Sequence, residues 1–264
     1  MRVAGIVLAG GRSTRMGTSK ATLDWHGSTL VRRAVGIVGR VVDGPLVVVR
    51  ARDQPLPRLP DGTEIADDAR AARGPLQGIA AGLAAIGDHA DAVFVCGVDA
   101  PLLHPALVAH VIAALAADEQ LDVALPVAHG FPHPLAAAYR TTVAEPISDL
   151  LDQDVLGTRA LMARCRVRRL DEAALLADPA VAEHDPRLES LLNLNEPGEY
   201  EAARARPAPQ VTVVGEGDVR AATLAAAGEG TATLNGVAVS DPQEPLVAGD
   251  QVAFVMRRRY RPAS

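Results

Sequence analysis

An unbroken apolar run from Val3 to Leu8 ends in a glycine-rich stretch, Ala9-Gly10-Gly11-Arg12-Ser13-Thr14-Arg15-Met16-Gly17-Thr18-Ser19-Lys20. That junction constrains the chain more than any other feature. A short run without polar alternation suits a parallel strand buried on both faces, and parallel strands need crossovers and hence a layered α/β sheet. Glycines directly after such a strand leave clustered backbone N–H groups that can face an anion. Lys20 closes the stretch and is the only lysine among the 26 cationic side chains of this 264-residue chain. Arginine spreads its charge over a planar fork, whereas lysine offers a compact charge suited to a single phosphate oxygen. We therefore read Lys20 as a phosphate contact; a surface residue that survived by chance is the competing reading.

Further apolar runs follow at intervals that leave room for helices. Trp25 and His26 read as turn packing, Ser28 as a helix N-cap, and Leu30, Val31, Ala34, Val35 and Val38 recur at helical spacing. Residues 45–49 read as a second strand, 63–67 as a third ending in acid, and 92–98 as a fourth running into Asp99-Ala100-Pro101. Pro75 stands where a helix begins, and Gly78, Ala81, Gly82 and Ala85 give that helix a face of small residues able to approach the sheet or a ligand. A helix from Pro105 to about Ala117 returns. Residues 122–127 and 134–139 read as strands around a loop holding His133, which reads as loop packing. Helices over 142–151 and 158–164, a short strand over 167–170 and a final strand over 191–195 complete the pattern, with Asn195 as the N-cap of a last helix. The alternation predicts an α/β fold with an open, doubly wound, mostly parallel sheet.

Residues 204–209, Arg-Ala-Arg-Pro-Ala-Pro, form a proline-punctuated linker, so we divide the chain into residues 1–203, this linker, and residues 210–264. The last part reads as a small β-rich module: a strand over 210–214, a short helix over 219–227, a hairpin through Asn235-Gly236, and a turn and strand over 246–255. The chain is 48% hydrophobic and 22% charged, enough apolar material for a real core rather than disorder. A net charge of −6 and 3% aromatic content argue against general nucleic-acid binding, which draws on basic surfaces and stacking faces. Cys96 and Cys165 are too few for a disulfide framework and read as core fillers, which fits a reduced, cytoplasmic compartment. The opening residues lack the pattern of a signal peptide, and no segment reaches the roughly eighteen apolar residues of a membrane span.

In open α/β sheets, ligands bind where strands deliver their carboxyl ends. Three features fall there: the glycine stretch after the first strand, Asp67 after the third and Asp99 after the fourth. Arg15 and Lys20 add charge suited to the phosphates of a triphosphate, and Asp99 is a hard oxygen ligand of the kind magnesium takes. Asp67 as a turn residue and Asp99 as a cap of the next helix are the bland alternatives. Gly-x-x-x-x-Gly-Lys-Ser/Thr is absent, and Gly10-Gly11 with Gly17 does not match Gly-x-Gly-x-x-Gly, so neither the common phosphate loop nor a dinucleotide fingerprint applies.

The string LAGGRSTRMGTSK resembles instead the signature of the MobA-like nucleotidyltransferases, the family of the molybdenum cofactor guanylyltransferases. The likeness continues in order through IADDARAARGPLQG, VFVCGVDAP, FPHPLAAAYR and LLNLNEPGEY, and covers about residues 1–203. It implies a Rossmann-like sheet and transfer of GMP from magnesium-bound GTP to a molybdopterin phosphate, with release of pyrophosphate. Residue by residue, it implies that Leu8, Ala9, Gly10 and Gly11 line the nucleotide site and that Arg15 and Lys20 hold phosphates. Asp67, seven residues before Gly74, is similar to the family's nucleotide-binding aspartate. Asp99 is similar to its Mg2+ ligand, and Asn193 and Asn195 to an asparagine pair beside the pterin acceptor. Arg50 stands where close relatives carry a small amide. Gly10 favours GTP, because relatives that make the cytidine form carry a second alanine there.

The C-terminal part resembles the second half of a ThiS/MoaD-like β-grasp protein, but the chain ends Arg-Tyr-Arg-Pro-Ala-Ser rather than Gly-Gly, so sulfur transfer is not expected. Docking to a molybdenum-cofactor pathway protein is the expected role. Two alternatives stand beside the guanylyltransferase reading. One is a cytidylyltransferase or other small-molecule nucleotidyltransferase; the other is a non-catalytic nucleotide- or partner-binding protein.

Overall fold

A computed structural model describes residues 1–10, 19–68, 70 and 74–255. Strand β1 (Val3–Leu8) is buried along its whole length, as its unbroken apolar sequence requires. A small hairpin, β2 (Asp24–Trp25) and β3 (Ser28–Thr29), leads into helix α1 (Leu30–Gly39). Ser28 thus lies in a strand and not at the helix cap; Thr29 holds the N-cap position, without a side-chain hydrogen bond. Then come β4 (Leu46–Ala51), β5 (Thr63–Asp68), α2 (Pro75–Ile86), β6 (Ala92–Gly97), α3 (Pro105–Ala116), β7 (Val123–Ala128), β8 (Phe131–Pro132) and β9 (Ala136–Arg140). The first unit ends with α4 (Ala144–Asp152), α5 (Thr158–Met162), β10 (Val167–Leu170), α6 (Glu172–Leu176), α7 (Pro179–His184) and α8 (Pro197–Arg204).

The main sheet has the order β10-β7-β9-β6-β1-β4-β5, with β8 paired to β7. All neighbours along that order are parallel except β9, which runs against both β6 and β7. From β1 the chain steps outward to β4 and β5, then crosses back through α2 to place β6 on the other side of β1. The order therefore reverses between β1 and β6, and the crevice of a doubly wound sheet opens at such a reversal. Successive residues of β1 serve two cores. Val3 and Val7 face α1 and α3, while Ala4, Ile6 and Leu8 face α2 and α4. Gly78 and Gly82, one turn apart on α2, lie against β1: an added Cβ at each would come within 3.1 Å of Leu8 and 2.8 Å of Ile6. The small face expected on this helix thus seats it on the sheet beside the crevice.

Residues 191–195, read from sequence as a strand, are not one. A 3-10 turn (Glu189–Leu191) passes into extended chain whose Leu194 N–H bonds Asp99 O at 2.8 Å, not a neighbouring strand. A further correction lies in the C-terminal part, where the run over 219–227 splits. Its start completes a strand, and only its end is helical, because β12 pairs with β11 in a hairpin. That part comprises β11 (Gln210–Val213), β12 (Gly217–Arg220), α9 (Leu224–Ala227), β13 (Ala232–Leu234), β14 (Val237–Val239) and β15 (Gln251–Phe254). They form a separate sheet ordered β12-β11-β15-β13-β14, with β11 and β15 parallel. The Asn235-Gly236 turn has both residues in the left-handed region (φ 51° and 84°), as a two-residue hairpin demands.

The two sheets meet across α1. Arg32 pairs with Asp241, Arg40 with Glu244 (3.2 Å) and Asp250 (3.0 Å), and Arg33 donates to the carbonyls of Pro101 and Leu246. Arg33 is 6% exposed, and its burial lowers its pKa to about 10. Gly36 admits Pro245 into the helix surface, where an added Cβ would fall 2.5 Å from the proline ring.

Candidate functional site

Where β1 ends, the N–H groups of Ala9 and Gly10 both bond Val49 O, at 2.8 and 3.1 Å. This turns the chain over the end of β4. An added Cβ at Gly10 would lie 3.0 Å from Ala51 N and 3.4 Å from Arg50 C. Glycine is therefore needed here for close backbone approach and not for an unusual φ. Leu8 and Ala9 are buried and Gly10 is exposed. Gly11 and Arg15 lie outside the described residues.

Lys20 opens a 3-10 turn (Lys20–Thr22) and projects to the reversal point of the sheet. Its Nζ lies 3.4 Å from Asp99 Oδ2 and 3.1 Å from Asn195 Oδ1. Asp99 reaches this position because β6 ends in Gly97. A Cβ there would collide with Asp99 Oδ1, so any other residue would push the carboxylate out of place. Asn195 arrives by a different route. The buried Leu194 anchors its segment to Asp99 O, and extended chain on either side turns Asn193 and Asn195 outward. The cap of α8 is Glu196, not Asn195. Glu196 and Glu199 form a reciprocal capping box, and Glu199 Oε2 also accepts from Asn195 N–H at 2.7 Å. Those backbone donors hold the Glu199 carboxyl below its ordinary pKa range. With the cap supplied elsewhere, the Asn195 amide is free to meet Lys20.

The nucleotide-side residues form a second group. Arg50, at the end of β4, pairs its Nε with Asp67 Oδ1 at 2.7 Å, and the two stand opposite each other in the β4–β5 register. Gln54, which no motif marks, holds the network together. Its Nε2 donates to Ala9 O (3.0 Å) and Ser19 Oγ (2.9 Å), and its Oε1 accepts from Ala51 N–H (3.1 Å). Arg50 also bonds Gln54 O at 3.0 Å.

Of the residues expected from sequence, Lys20, Asp99 and Asn195 converge. Asp67 lies at the end of β5, two strands from β1, and is joined to Arg50, while Asn193 is exposed on the Asn195 segment. His133 bonds the Ala128 carbonyl across its own loop, and burial lowers its pKa, in keeping with a packing role. The converged trio sets a compact cation beside one partly exposed carboxylate and one amide oxygen. Among the described residues there is no group of three or more His, Cys, Asp and Glu side chains able to hold a metal ion. A lone carboxylate suits a cation that keeps waters and completes its shell with substrate phosphates, as magnesium does.

Comparisons with known proteins agree with this geometry. Residues 5–172 match the MobA-like NTP transferase domain. A protein named "Probable molybdenum cofactor guanylyltransferase" from Mycobacterium avium is 41% identical over 165 residues, which is 61% of this chain and 81% of that protein. Its Mycobacterium tuberculosis counterpart of the same name is 41% identical over 152 residues, 56% of this chain and 73% of that one. Among solved structures, molybdopterin-guanine dinucleotide biosynthesis protein A from Archaeoglobus fulgidus has a TM-score of 0.60 at 22% identity, covering 77% of this chain and 97% of its own. A 2-C-methyl-D-erythritol 4-phosphate cytidylyltransferase from Thermus thermophilus has a TM-score of 0.55 at 17% identity, covering 78% and 98%. Those two likenesses concern the fold alone, and the second shows that the fold by itself does not choose the base.

Proposed function

The chain belongs to the MobA-like NTP transferase family, and on that footing we propose that it is a molybdenum cofactor guanylyltransferase. It transfers GMP from GTP to the phosphate of molybdopterin. The observation that carries this reading is the meeting of Lys20, Asp99 and Asn195 at the β1–β6 crevice. The three groups come from three separate segments of the chain.

In the proposed reaction an oxygen of the molybdopterin phosphate attacks the α-phosphorus of GTP. The bond from that phosphorus to the bridging oxygen breaks, and pyrophosphate leaves with the electron pair. The protein supplies no covalent nucleophile. Its residues align two phosphates and offset their charge. Lys20 and Arg15 hold the triphosphate, and Asn193 and Asn195 hold the acceptor, so that Lys20, bonded to Asn195, stands at the border of the two substrates. Leu8, Ala9, Gly10 and Gly11 line the base and ribose, and Asp67, steadied by Arg50, faces the nucleotide. In this proposal Asp99 would hold a divalent cation, Mg2+, which would supply charge neutralisation at the phosphates. Bound nucleotide would also give Lys20 an anionic partner in place of the Asp99 carboxylate.

We further propose that residues 1–203 are the catalytic domain, 204–209 the linker and 210–264 a β-grasp-like module that docks a molybdenum-cofactor pathway protein. The strand order β12-β11-β15-β13-β14, with β11 and β15, the first and last of its strands in chain order, parallel at its centre, supports the β-grasp reading. Among the described residues no helix is long and apolar enough to cross a membrane. Both cysteines are free thiols, in keeping with the cytoplasmic location we propose.

The test is pyrophosphate release from GTP, magnesium and molybdopterin, with thermal shift measured against each of the four NTPs. GTP-dependent release with the largest shift from GTP is expected. Preference for CTP would overturn the base assignment. Tight GTP binding without release would make the protein a nucleotide binder instead of an enzyme.

A further inference from the structure

We propose that Gln54 is a positioning residue for this chemistry: its side-chain amide clasps Ala9 to Ser19 and so sets where Lys20 stands. Ala9 and Ser19 flank the glycine-rich stretch, and Ser19 is bonded directly to Lys20 in the chain. Gln54 Nε2 holds both, at 3.0 Å to Ala9 O and 2.9 Å to Ser19 Oγ. Its Oε1 is turned the other way, accepting from Ala51 N–H at 3.1 Å. Only this amide orientation satisfies all three partners, because the reverse would set two carbonyl oxygens face to face.

The local chain is shaped to deliver that amide. Asp53 adopts φ 62°, a left-handed conformation that aspartate tolerates, and Gln54 N–H bonds Ala51 O at 3.0 Å to close the turn. Arg50 then fixes the backbone by donating to Gln54 O, at 3.0 Å, while its Nε holds Asp67. One amide thus links the end of β1, the end of β4 and the residue before Lys20. An alanine has no such reach, and a carboxylate of the same shape lacks the two donors.

The activity readout rests on the guanylyltransferase reading, and the experiment separates the two ideas. Wild type, Gln54→Met and Gln54→Glu are compared for kcat and KM with GTP and molybdopterin between about pH 5 and pH 8, with urea melts as a check on folding. Gln54→Met fills the space without hydrogen bonds; its kcat/KM for GTP is expected to fall roughly 10- to 100-fold while the protein stays folded. Gln54→Glu is expected to be as poor at high pH. Its activity relative to wild type should rise as the pH falls, because a protonated carboxyl regains one donor for Ala9 O or Ser19 Oγ. Both variants within twofold of wild type would overturn the proposal, as would a Gln54→Glu ratio that is flat with pH or a Gln54→Met chain that does not fold. Wild type that binds GTP but releases no pyrophosphate would defeat the activity reading alone. The clasp would then stand or fall on the GTP Kd of the same three proteins.

Discussion

Lys20 Nζ stands 3.1 Å from Asn195 Oδ1, across 175 residues of sequence. The contact exists because the chain returns after α7 to run Leu194 along Asp99 O, which lays Asn195 beside the ammonium. A compact cation fits between the amide and the Asp99 carboxylate; the planar guanidinium fork does not present one charge to both in the same way. Lys20→Ala and Lys20→Arg are therefore both expected to lower kcat/KM by about a hundredfold or more, the scale of losing one preorganised charge contact. Far-UV circular dichroism and urea midpoints should stay near those of wild type, because this partly exposed ion pair adds little to stability. Full activity of Lys20→Arg in a pyrophosphate-release assay would show that charge alone suffices.

Asp99 carries a separate prediction, since its carboxylate meets Lys20 at the crevice and Gly97 keeps its place open. Asp99→Asn retains shape and one oxygen but loses the charge that holds a hard cation. Turnover should fall at least about a hundredfold, and the magnesium concentration for half-maximal activity should rise. A magnesium titration of wild type and Asp99→Asn reads both effects; superimposable curves would remove Asp99 from the metal role.

Much of this is legible in the sequence. The crevice could be anticipated because β1 and β6 are apolar throughout, so their ends and the residues after them stand out, and Lys20 and Asp99 are among those residues. Asn195 was half legible. Asparagine before Glu-Pro reads as an N-cap, and only the Glu196–Glu199 capping box shows that the amide is not needed there. Gln54 carried no signal, since it lies in a proline-rich loop and its role depends on three chain segments meeting. The arginines of α1 carried no signal either. Arg32 and Arg33 are buried because both parts of the chain supply their acceptors, the Arg58 carbonyl and Asp241 for Arg32 and the carbonyls of Pro101 and Leu246 for Arg33. A faint trace of that interface remains in Gly36, a small residue in mid-helix facing Pro245.

Gly10 gives the most direct test of base choice. A methyl group there would press on Ala51 N at 3.0 Å, and backbone, unlike a flexible side chain, cannot swing aside. In Gly10→Ala the turn over β4 must lift by a few tenths of an ångström, moving the Gly10 N–H away from Val49 O. The expected result is a several-fold weaker GTP Kd and a smaller GTP-over-CTP ratio in thermal shift, with little change in the apo melting temperature. A ratio equal to that of wild type would dissociate Gly10 from base selection.

His104 predicts how acid acts on the joint between the two sheets. It caps α3 by accepting Ala106 N–H on Nδ1 at 3.1 Å, which leaves the proton on Nε2 to donate to Ala248 O in the turn before β15, also at 3.1 Å. The ring faces His184 at 5.3 Å, with Asp185 and Asp250 near enough to favour its charge. Burial nevertheless dominates and lowers the His104 pKa below the ordinary histidine value. A group with a lowered folded pKa binds its proton less readily in the folded protein than in the unfolded one. The stability it contributes is complete above the unfolded value of about 6.5 and is lost as pH falls through the folded value. Protonation puts a hydrogen on Nδ1, facing the Ala106 N–H, and the cap is broken. His104→Asn keeps a neutral acceptor for the cap but falls short of Ala248. It should be less stable than wild type by about 1 kcal/mol at neutral pH and lose less stability on acidification. Urea melts at about pH 7.5 and about pH 5 measure both slopes; equal slopes in the two proteins would mean that His104 does not couple the joint to pH.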